Sequence, residues 1–462
     1  MKPILIRYLG TVVWSLIMLT SCNITRRYEQ PDITAADLYR GQIATDTTTL
    51  ASLPYTEIFR DTILQGLIRQ GIAENLDLKI AFTRIQQSQA YYEESRAAQL
   101  PVLNGNAEVA RSKVSDAQGL GAGRFTQYQV NLASSWEADI WGRLNSSRKA
   151  SLASLLETEA AAKAIQTSIV SAIAGNYYTL LSLDQQLDIT EQSVRNWDTT
   201  VTTMRALKEA GRVTEAAVVQ SEAQRYAAEV TIPDLKQSIR EIENSLSVLV
   251  GRSPGAIQRS RLDEQQTLSE LQTGVPAQLL SNRPDVQQAE YAYRNAFELT
   301  NVSRAAFYPS LSITAAAGLS SLSLADIISP GALAASIGAG IVQPIFNRRL
   351  NRTNLAVAQA GQEATLLNFR NTLLIAGQEV SDALSLHQTA LDKTAVRGFQ
   401  IIALQRSVDY TQQLLRSGFG NYIEVIAARQ SLLTAELGRV DDRRQQLQAT
   451  VDLYRSLGGG TR

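Results

Sequence analysis

Two stretches of about 68 residues, 143–210 and 350–417, contain no proline and repeat an apolar residue every seven positions. In the first, Ile173, Leu180, Leu187, Val194 and Val201 fall in step. In the second, Leu366, Leu373, Val380, Ile401, Val408 and Leu415 do the same, with His387 and Thr394 at the two intervening positions. At about 1.5 Å per residue each predicts a helix roughly 100 Å long, about three times the hydrocarbon thickness of a bilayer. Charged and glutamine residues along both exclude burial in lipid. Sustained seven-residue spacing predicts left-handed coiled-coil packing against neighbouring helices. The stretches also stand in register. Adding 207 carries Val201 to Val408, Leu207 to Leu414, Gly211 to Gly418 and Gly251 to Gly458. The expected protomer is a tandem repeat, two copies of one module sharing a core.

Composition narrows the function. Lys+Arg and Asp+Glu balance at 44 each, so the basic excess that nucleic-acid binding usually needs is absent. One cysteine and one histidine leave too few ligands for a protein-bound zinc or iron site. No cofactor is expected. At the N-terminus, Lys2 and Arg7 accompany an apolar run over 9–20 that is too short for a spanning helix. It ends Leu19-Thr20-Ser21-Cys22. The pattern predicts an export signal over 1–21, and its end is similar to the lipobox of bacterial lipoproteins. In a lipobox the cysteine is acylated and becomes the first mature residue, so Cys22 is the expected lipid-attachment site. Acyl chains add about 0.8 kcal/mol per buried methylene, and two or more give a stable anchor. An ordinary secretory signal that happens to hold the cysteine is the alternative. Asn23 follows Cys22, which leaves outer-membrane sorting open.

Residues 22–56 are polar, contain Pro31 and Pro54, and read as an extended segment lying over other structure. Leu64, Leu67, Ile68, Ile72, Leu76 and Ile80 then form one apolar stripe of a helix expected to run to about Gln99, before Pro101. Next the period changes to two. Leu103, Gly105, Ala107 and Val109 alternate with polar residues, as do Tyr128, Val130, Leu132, Ser134 and Trp136 after a glycine-rich loop. The second copy repeats this with Leu311, Ile313, Ala315, Ala317 and Leu319, then with Leu333, Ala335, Ile337, Ala339 and Ile341. Strands are therefore expected at about 102–113, 126–138, 310–320 and 333–343.

Each such strand is long enough to cross a bilayer when tilted. A soluble hairpin half-buried on a core shows the same alternation. The count is more informative. Four strands cannot close a spanning barrel, and an open edge is not tolerated in lipid. If these strands span a membrane, several chains must contribute. A dimer would give eight strands with a filled interior, and a trimer twelve with a lumen.

Each long helix should end at a glycine-bearing reversal, Gly211 or Gly418, in a left-handed cap. Returning helices are expected over 214–250 and 421–457, the first broken or kinked by Pro233. The two copies then span 57–251 and 277–458, joined by a polar connector over 252–276 and followed by a tail, 459–462.

Leu279-Leu280-Ser281-Asn282-Arg283-Pro284-Asp285-Val286, followed by Ala289-Glu290, closely resembles the hallmark segment of the TolC-like outer-membrane efflux lipoproteins of the OprM/NodT type. Read physically, Asn282 is a helix-cap candidate, Pro284 belongs in the first turn and Asp285 complements the positive helix end. Asn75-Leu76-Asp77-Leu78 echoes it in the first copy. Cys22, Asp139-Ile140-Trp141-Gly142-Arg143, Gln343-Pro344-Ile345-Phe346-Asn347, and Ser417-Gly418 with Asn421-Tyr422 match the family in order across nearly the whole mature chain. The resemblance implies a mainly α protein with a membrane β-barrel. It would be a homotrimer sharing a twelve-stranded barrel in the outer membrane, with an α-helical barrel reaching across the periplasm. It also implies partners: a periplasmic adaptor and an inner-membrane pump of RND type, which together form a tripartite export system. The adaptor would meet the reversals, at Gly211, Arg212, Val213 and Thr214 and at Gly418, Phe419, Gly420 and Asn421. Family members close the tip with apolar and acidic rings near the start of the last helix. Ile423 matches the apolar position, but the acidic position falls on Ala427, with Glu424 close by.

No catalytic constellation is present. His387, the single histidine, stands at the heptad position equivalent to Leu180 and reads as a packing residue. The pairs Glu93-Glu94 and Asp441-Asp442 read as solvated surface, and Gly458-Gly459-Gly460 lacks the strand–loop–helix context of a phosphate loop. A passive export duct is the expectation, and not an enzyme. A structural coiled-coil envelope lipoprotein is the alternative, and it predicts no amphipathic strands.

Overall fold

The computed structural model describes residues 24–31, 50, 53–113, 124–266 and 279–461. The expected signal segment, Cys22, the glycine-rich loop and the second part of the connector lie outside the described residues. In chain order the elements are α1 (Tyr55–Ile58), α2 (Thr62–Glu74), α3 (Leu76–Ala97), β1 (Val102–Lys113), β2 (Arg124–Ala138), α4 (Arg143–Glu209), α5 (Glu215–Glu229) and α6 (Thr231–Leu249). The second copy supplies α7 (Leu279–Asn282), α8 (Pro284–Ala305), β3 (Ser310–Ser321), β4 (Leu333–Val342), α9 (Leu350–Ser417) and α10 (Tyr422–Ser456). The long helices α4 and α9 run 67 and 68 residues. No described helix is long and apolar enough to cross a membrane. Contacts divide the chain into two units. One draws on Met1–Asp32, Arg84–Thr158 and Gln288–Phe369, the other on Ile33–Thr83, Glu159–Gln287 and Arg370–Arg462.

The first unit is built on a four-stranded antiparallel sheet in the order β1-β2-β3-β4. At the start of α4, the Asp139 carboxylate accepts from the Leu144 and Asn145 N–H groups at 3.0 and 2.7 Å, and Gly142 takes a left-handed conformation (φ 74°). The position 207 residues on is Arg349, equally left-handed (φ 68°), beside Arg348 (φ 53°). The second copy thus keeps the turn without the glycine. Residues 24–31 carry no helix or strand. Asn301, fully buried in α8, accepts from the Arg26 N–H at 3.0 Å and donates to the Arg26 carbonyl at 2.9 Å. Tyr28 packs on Tyr293 and edge-on to Phe297.

The second unit is a helical bundle. Ile173, Leu180 and Val201 of α4 and Leu373, Val380, Ile401, Val408 and Leu415 of α9 are buried, whereas Leu187, Val194 and Leu366 are half-buried and Thr394 is exposed. The heptad therefore loses contact at Thr394. All four glycines related by 207 end helices in the left-handed region, with φ of 71° at Gly211 and Gly251, 82° at Gly418 and 91° at Gly458. In each, the glycine N–H returns to the carbonyl three residues earlier, and the next N–H to the carbonyl five residues before it. Arg212 donates to Leu207 at 2.8 Å and Phe419 to Leu414 at 3.0 Å. This double closure needs a residue free of the Cβ penalty at the turn.

Several boundaries differ from the sequence expectation. The helix expected to reach Gln99 unbroken is interrupted at Asn75, which is extended. Its side-chain oxygen accepts from the Asp77 and Leu78 N–H groups at 2.9 and 3.1 Å, which starts α3, and its amide donates to the Leu249 carbonyl at 3.0 Å. The returning helix of the first copy breaks at Val230, ahead of Pro233. Pro233 lies in the first turn of α6, where its missing N–H costs nothing, and its ring excludes a helical bond from the preceding turn. Asn282 is not the cap of α8. The helix begins at Pro284, so Arg283 occupies the position that Asn75 holds in the first copy. Asp442 is not solvated surface either: it is buried and accepts from Arg397 Nε at 2.8 Å.

Candidate functional site

Paired residues of an antiparallel sheet share a face, so the register sorts this one into two. One face carries the rows Leu103–Ser134–Ala315–Ile337, Gly105–Leu132–Ala317–Ala335 and Ala107–Val130–Leu319–Leu333, then Trp136–Ile313–Ala339 and Ala138–Leu311–Ile341. The other carries Asn104, Asn106, Glu108, Gln127, Gln129, Asn131, Ser312, Thr314, Ser320 and Ser336. Asn106 donates to Asn131 at 3.3 Å and Gln127 to Ser320 at 3.1 Å across that polar face. The apolar face is uncovered, with Leu132, Leu333, Ile337 (83%) and Ile341 all exposed. Among the described residues neither β1 nor β4 has a second neighbouring strand. Trp136 donates its indole N–H to the Gln99 carbonyl at 2.9 Å, and Trp141 donates to Pro309 at 2.7 Å while packing on Tyr308. Aromatic rings with a polar edge satisfied thus mark the helix-bearing end of the sheet.

The two reversals belong to the second unit and are brought together. Met204, Ala217 and Val218 of the first hairpin pack with Leu415 and Val425 of the second, flanked by Leu207, Val213 and Tyr422. Arg212 donates to the Arg416 carbonyl at 3.2 Å, so one reversal satisfies an orphan carbonyl at the end of the other long helix. A side chain at Gly418 would collide with the same guanidinium. Three ion pairs stitch the first hairpin, Lys208–Glu215, Arg205–Glu222 and Arg225–Asp198. Thr214 precedes α5 without a side-chain cap, while Asn421 caps α10 by accepting from the Ile423 N–H at 3.0 Å. Phe419, between Gly418 and Gly420, is 88% exposed.

Near the start of α10, Val425, Ile426 and Ala428 face the hairpin core, and Ile423, Glu424 and Ala427 are exposed on the opposite side. The three residues named from the family's gate therefore share an outward surface. Ala427 contributes a methyl group at the position where the resemblance implies an acid. Two residues on, burial pushes the Arg429 guanidinium below its ordinary range. With its amide turned so that oxygen faces this group, Gln412 accepts from Arg429.

The NRPDV segment is an anchoring device. Arg283 is 5% exposed. It donates to Asp285 at 3.0 and 2.5 Å, to Glu379 of α9 at 2.7 Å and to the Ser456 carbonyl at the end of α10 at 2.8 Å. Burial works against its charge, but the two carboxylates raise its pKa overall. The Asn282 side chain accepts from its neighbour Ser281 at 3.4 Å, and its carbonyl lies where a side chain on Gly458 would have to go.

Two polar clusters escaped the sequence reading. Asp61 accepts from Ile63 N–H at 2.8 Å, Tyr177 at 2.6 Å and Gln265 at 3.0 Å, and also from Ser260. Burial raises its pKa, and these bonds more than reverse the effect. An aspartate just before the Leu64 stripe was a legible cap signal. Arg259 joins Asp184 of α4 to Glu243 of α6 at 2.5 Å each; the sequence carried no signal for it. No group of acids, histidines and cysteines able to hold a metal occurs among the described residues.

Comparison with known proteins agrees with this architecture. The solvent efflux pump outer membrane protein SrpC of Pseudomonas putida is 27% identical over 457 residues, covering 97% of each chain. The cation efflux system protein CusC of Escherichia coli K12 is 26% identical over 449 residues, covering 96% of this chain and 97% of its own. The outer-membrane channel OprN has the same fold, with a TM-score of 0.89 at 24% identity over 95% of this chain and all of its own. The family pattern described as outer membrane efflux protein matches residues 67–252 and 275–459, one span in each copy. Matched along both repeats, the chain belongs to the outer membrane efflux protein family.

Proposed function

We propose that three copies of this chain close a twelve-stranded barrel and form the exit duct of a tripartite efflux system. The observation that carries the reading is the sheet, with one exposed face whose central rows are apolar apart from Ser134, one polar face and, among the described residues, two open edges. Open edges are not stable in lipid, and β1 of one copy offers β4 of the next an antiparallel partner. Twelve strands leave a lumen, and the asparagine, glutamine and serine face suits water. Helices about 100 Å long supply the periplasmic reach. Cys22 is the acylation site that holds each copy to the membrane.

The tip opens when the hairpins separate, driven by an adaptor and an inner-membrane pump of RND type. The adaptor binds the reversals at Gly211–Thr214 and Gly418–Asn421. Ile423 and Ala427 form an apolar constriction, and Glu424 supplies its charge. SrpC is named for solvents and CusC for cations, so relatives of similar likeness serve unlike cargo, and cargo choice rests with the pump.

Single-channel conductance of the acylated protein in planar bilayers, beside its mass in detergent, tests this. A trimer mass with a small, flickering conductance that grows on Ile423→Ser or Glu424→Gln is expected. A monomer that never conducts refutes the shared barrel and returns the chain to a structural spacer.

A further inference from the structure

Past the apolar band, the first hairpin ends in cations. Along the outward-facing rows, the positions beyond Val109 and Tyr128 are Arg111, opposite Thr126, and Lys113, opposite Arg124. All three basic residues are exposed. Among the described residues none has an ion-pair partner, and Glu108 projects from the polar face instead. Lys113 and Arg124 are direct cross-strand partners, their Cβ atoms about 5 Å apart, an arrangement in which like charges destabilise a sheet. Arg111 adds a third charge on the same face. The second hairpin shows that the fold does not require them. Its last outward positions are Leu319, Ser321 and Leu333, and its turn, 322–332, contains no lysine or arginine.

Their height identifies what they meet. Trp136 and Tyr128 bracket the apolar rows of β2 and lie about 26 Å apart along the strand at ~3.3 Å per residue. On a strand tilted by about 40° that is a rise of roughly 20 Å, within the apolar band of about 25 Å that aromatic girdles flank in a membrane barrel. The cations begin two residues beyond Tyr128, about 7–13 Å further on, at the level of the headgroups and at the end away from the helices.

We propose that Arg111, Lys113 and Arg124 bind the phosphate groups of outer-leaflet lipids. The site rests on the reading that the sheet spans the outer membrane. Each guanidinium can grip two phosphate oxygens at once, and the ammonium adds a point charge. A bound phosphate also relieves the repulsion between Lys113 and Arg124. Because the cluster continues the lipid-facing surface, the occupant is a lipid headgroup and not phosphate free in solution.

The test uses the full acylated chain in detergent, with native mass spectrometry counting bound bis-phosphorylated lipid A. The same preparation is checked for insertion and conductance in bilayers. We expect retention of bis-phosphorylated lipid A and a loss on the order of tenfold or more for lipid A stripped of phosphate. The triple variant Arg111→Gln, Lys113→Gln, Arg124→Gln should show a similar loss with unchanged conductance, and millimolar inorganic phosphate should not displace the lipid. Equal binding of phosphorylated and stripped lipid by wild type, which needs no variant, overturns the site. Displacement by inorganic phosphate overturns its assignment to a lipid. A chain that does not insert or conduct overturns the membrane-spanning reading on which the site rests.

Discussion

Arg283 and Asn75 do the same work in the two copies by different chemistry, so removing each gives a controlled comparison. Asn75 caps α3 through its oxygen and reaches the Leu249 carbonyl through its amide. In the second copy these tasks are divided. Asp285 accepts from the Val286 N–H at 2.9 Å, and Arg283 reaches the Ser456 carbonyl. Asn75→Ala removes a cap, about 1 kcal/mol, and a donor to a carbonyl on the half-buried Leu249; its total cost is about 1–2 kcal/mol. Arg283→Ala strands the carbonyl of Ser456, which is 1% exposed, at about 1–3 kcal/mol. It also leaves Glu379 with only Arg455, at 3.4 Å, and Asp285 without its cation. Those carboxylates keep 30% and 40% side-chain exposure, so solvent screening limits that loss to about 1 kcal/mol. The cost is then about 3 kcal/mol, at the lower end of the 3–5 kcal/mol for a fully buried pair. Urea titration followed by helical circular dichroism, in one detergent and at equal slope, should rank the midpoints wild type, Asn75→Ala, Arg283→Ala. Arg283→Lys should fall between the last two, since one ammonium cannot reach Asp285, Glu379 and Ser456 together. An Arg283→Ala midpoint at or above that of Asn75→Ala refutes the argument that the buried fork anchors α8 to α9 and α10.

Arg349→Gly should stabilise the chain by about 0.5–1 kcal/mol, since it relieves a left-handed strain of about 1–2 kcal/mol and gives back part as chain entropy; a lowered urea midpoint rejects the strain. His387 is 7% exposed with Nε2 unpartnered, and burial lowers its pKa. Its neutral form therefore supports the fold fully above about pH 6.5, and this support fades as pH falls through the lower folded value. His387→Leu, matching Leu180, should gain about 1 kcal/mol and flatten the fall in midpoint between about pH 8 and 5; an unchanged slope contradicts this. Gly418→Ala should cost about 1 kcal/mol and displace Arg212 from Arg416; Arg212→Ala in the same background should then add almost nothing, and full additivity refutes the coupling.

What the sequence made legible is what each residue does for its own element. The heptads of α4 and α9 record one packed face, the alternation at 102–113 and 310–321 records two-sided strands, and Gly211, Gly251, Gly418 and Gly458 mark turns that need a left-handed residue. Interruptions and long-range partners were not legible. The apolar stripe runs on from Ile72 to Leu76 and Ile80, so no gap in the pattern marks the break at Asn75. Asparagine is the better cap by propensity, which favoured Asn282; Arg283 displaces it because Glu379, 96 positions away, and Ser456 give the guanidinium somewhere to go. Asp442 looked like surface beside Asp441 because its partner, Arg397, lies 45 residues earlier on another helix.

The same limit hid the cations of the first hairpin. Reading for alternation ends where the apolar residues end, and only the register puts Lys113 against Arg124. Once the strands are paired, Arg111, Lys113 and Arg124 form a charged rim continuous with the apolar face. The repeat supplies the internal control. Where two copies of one module share a turn, a caps-and-glycines position is kept by the backbone, as at Gly211 and Gly418. A position that changes character between copies, as from Leu319 and Ser321 to Arg111 and Lys113, is free of that demand. Such positions are where the surroundings, here lipid and water, set the choice of side chain.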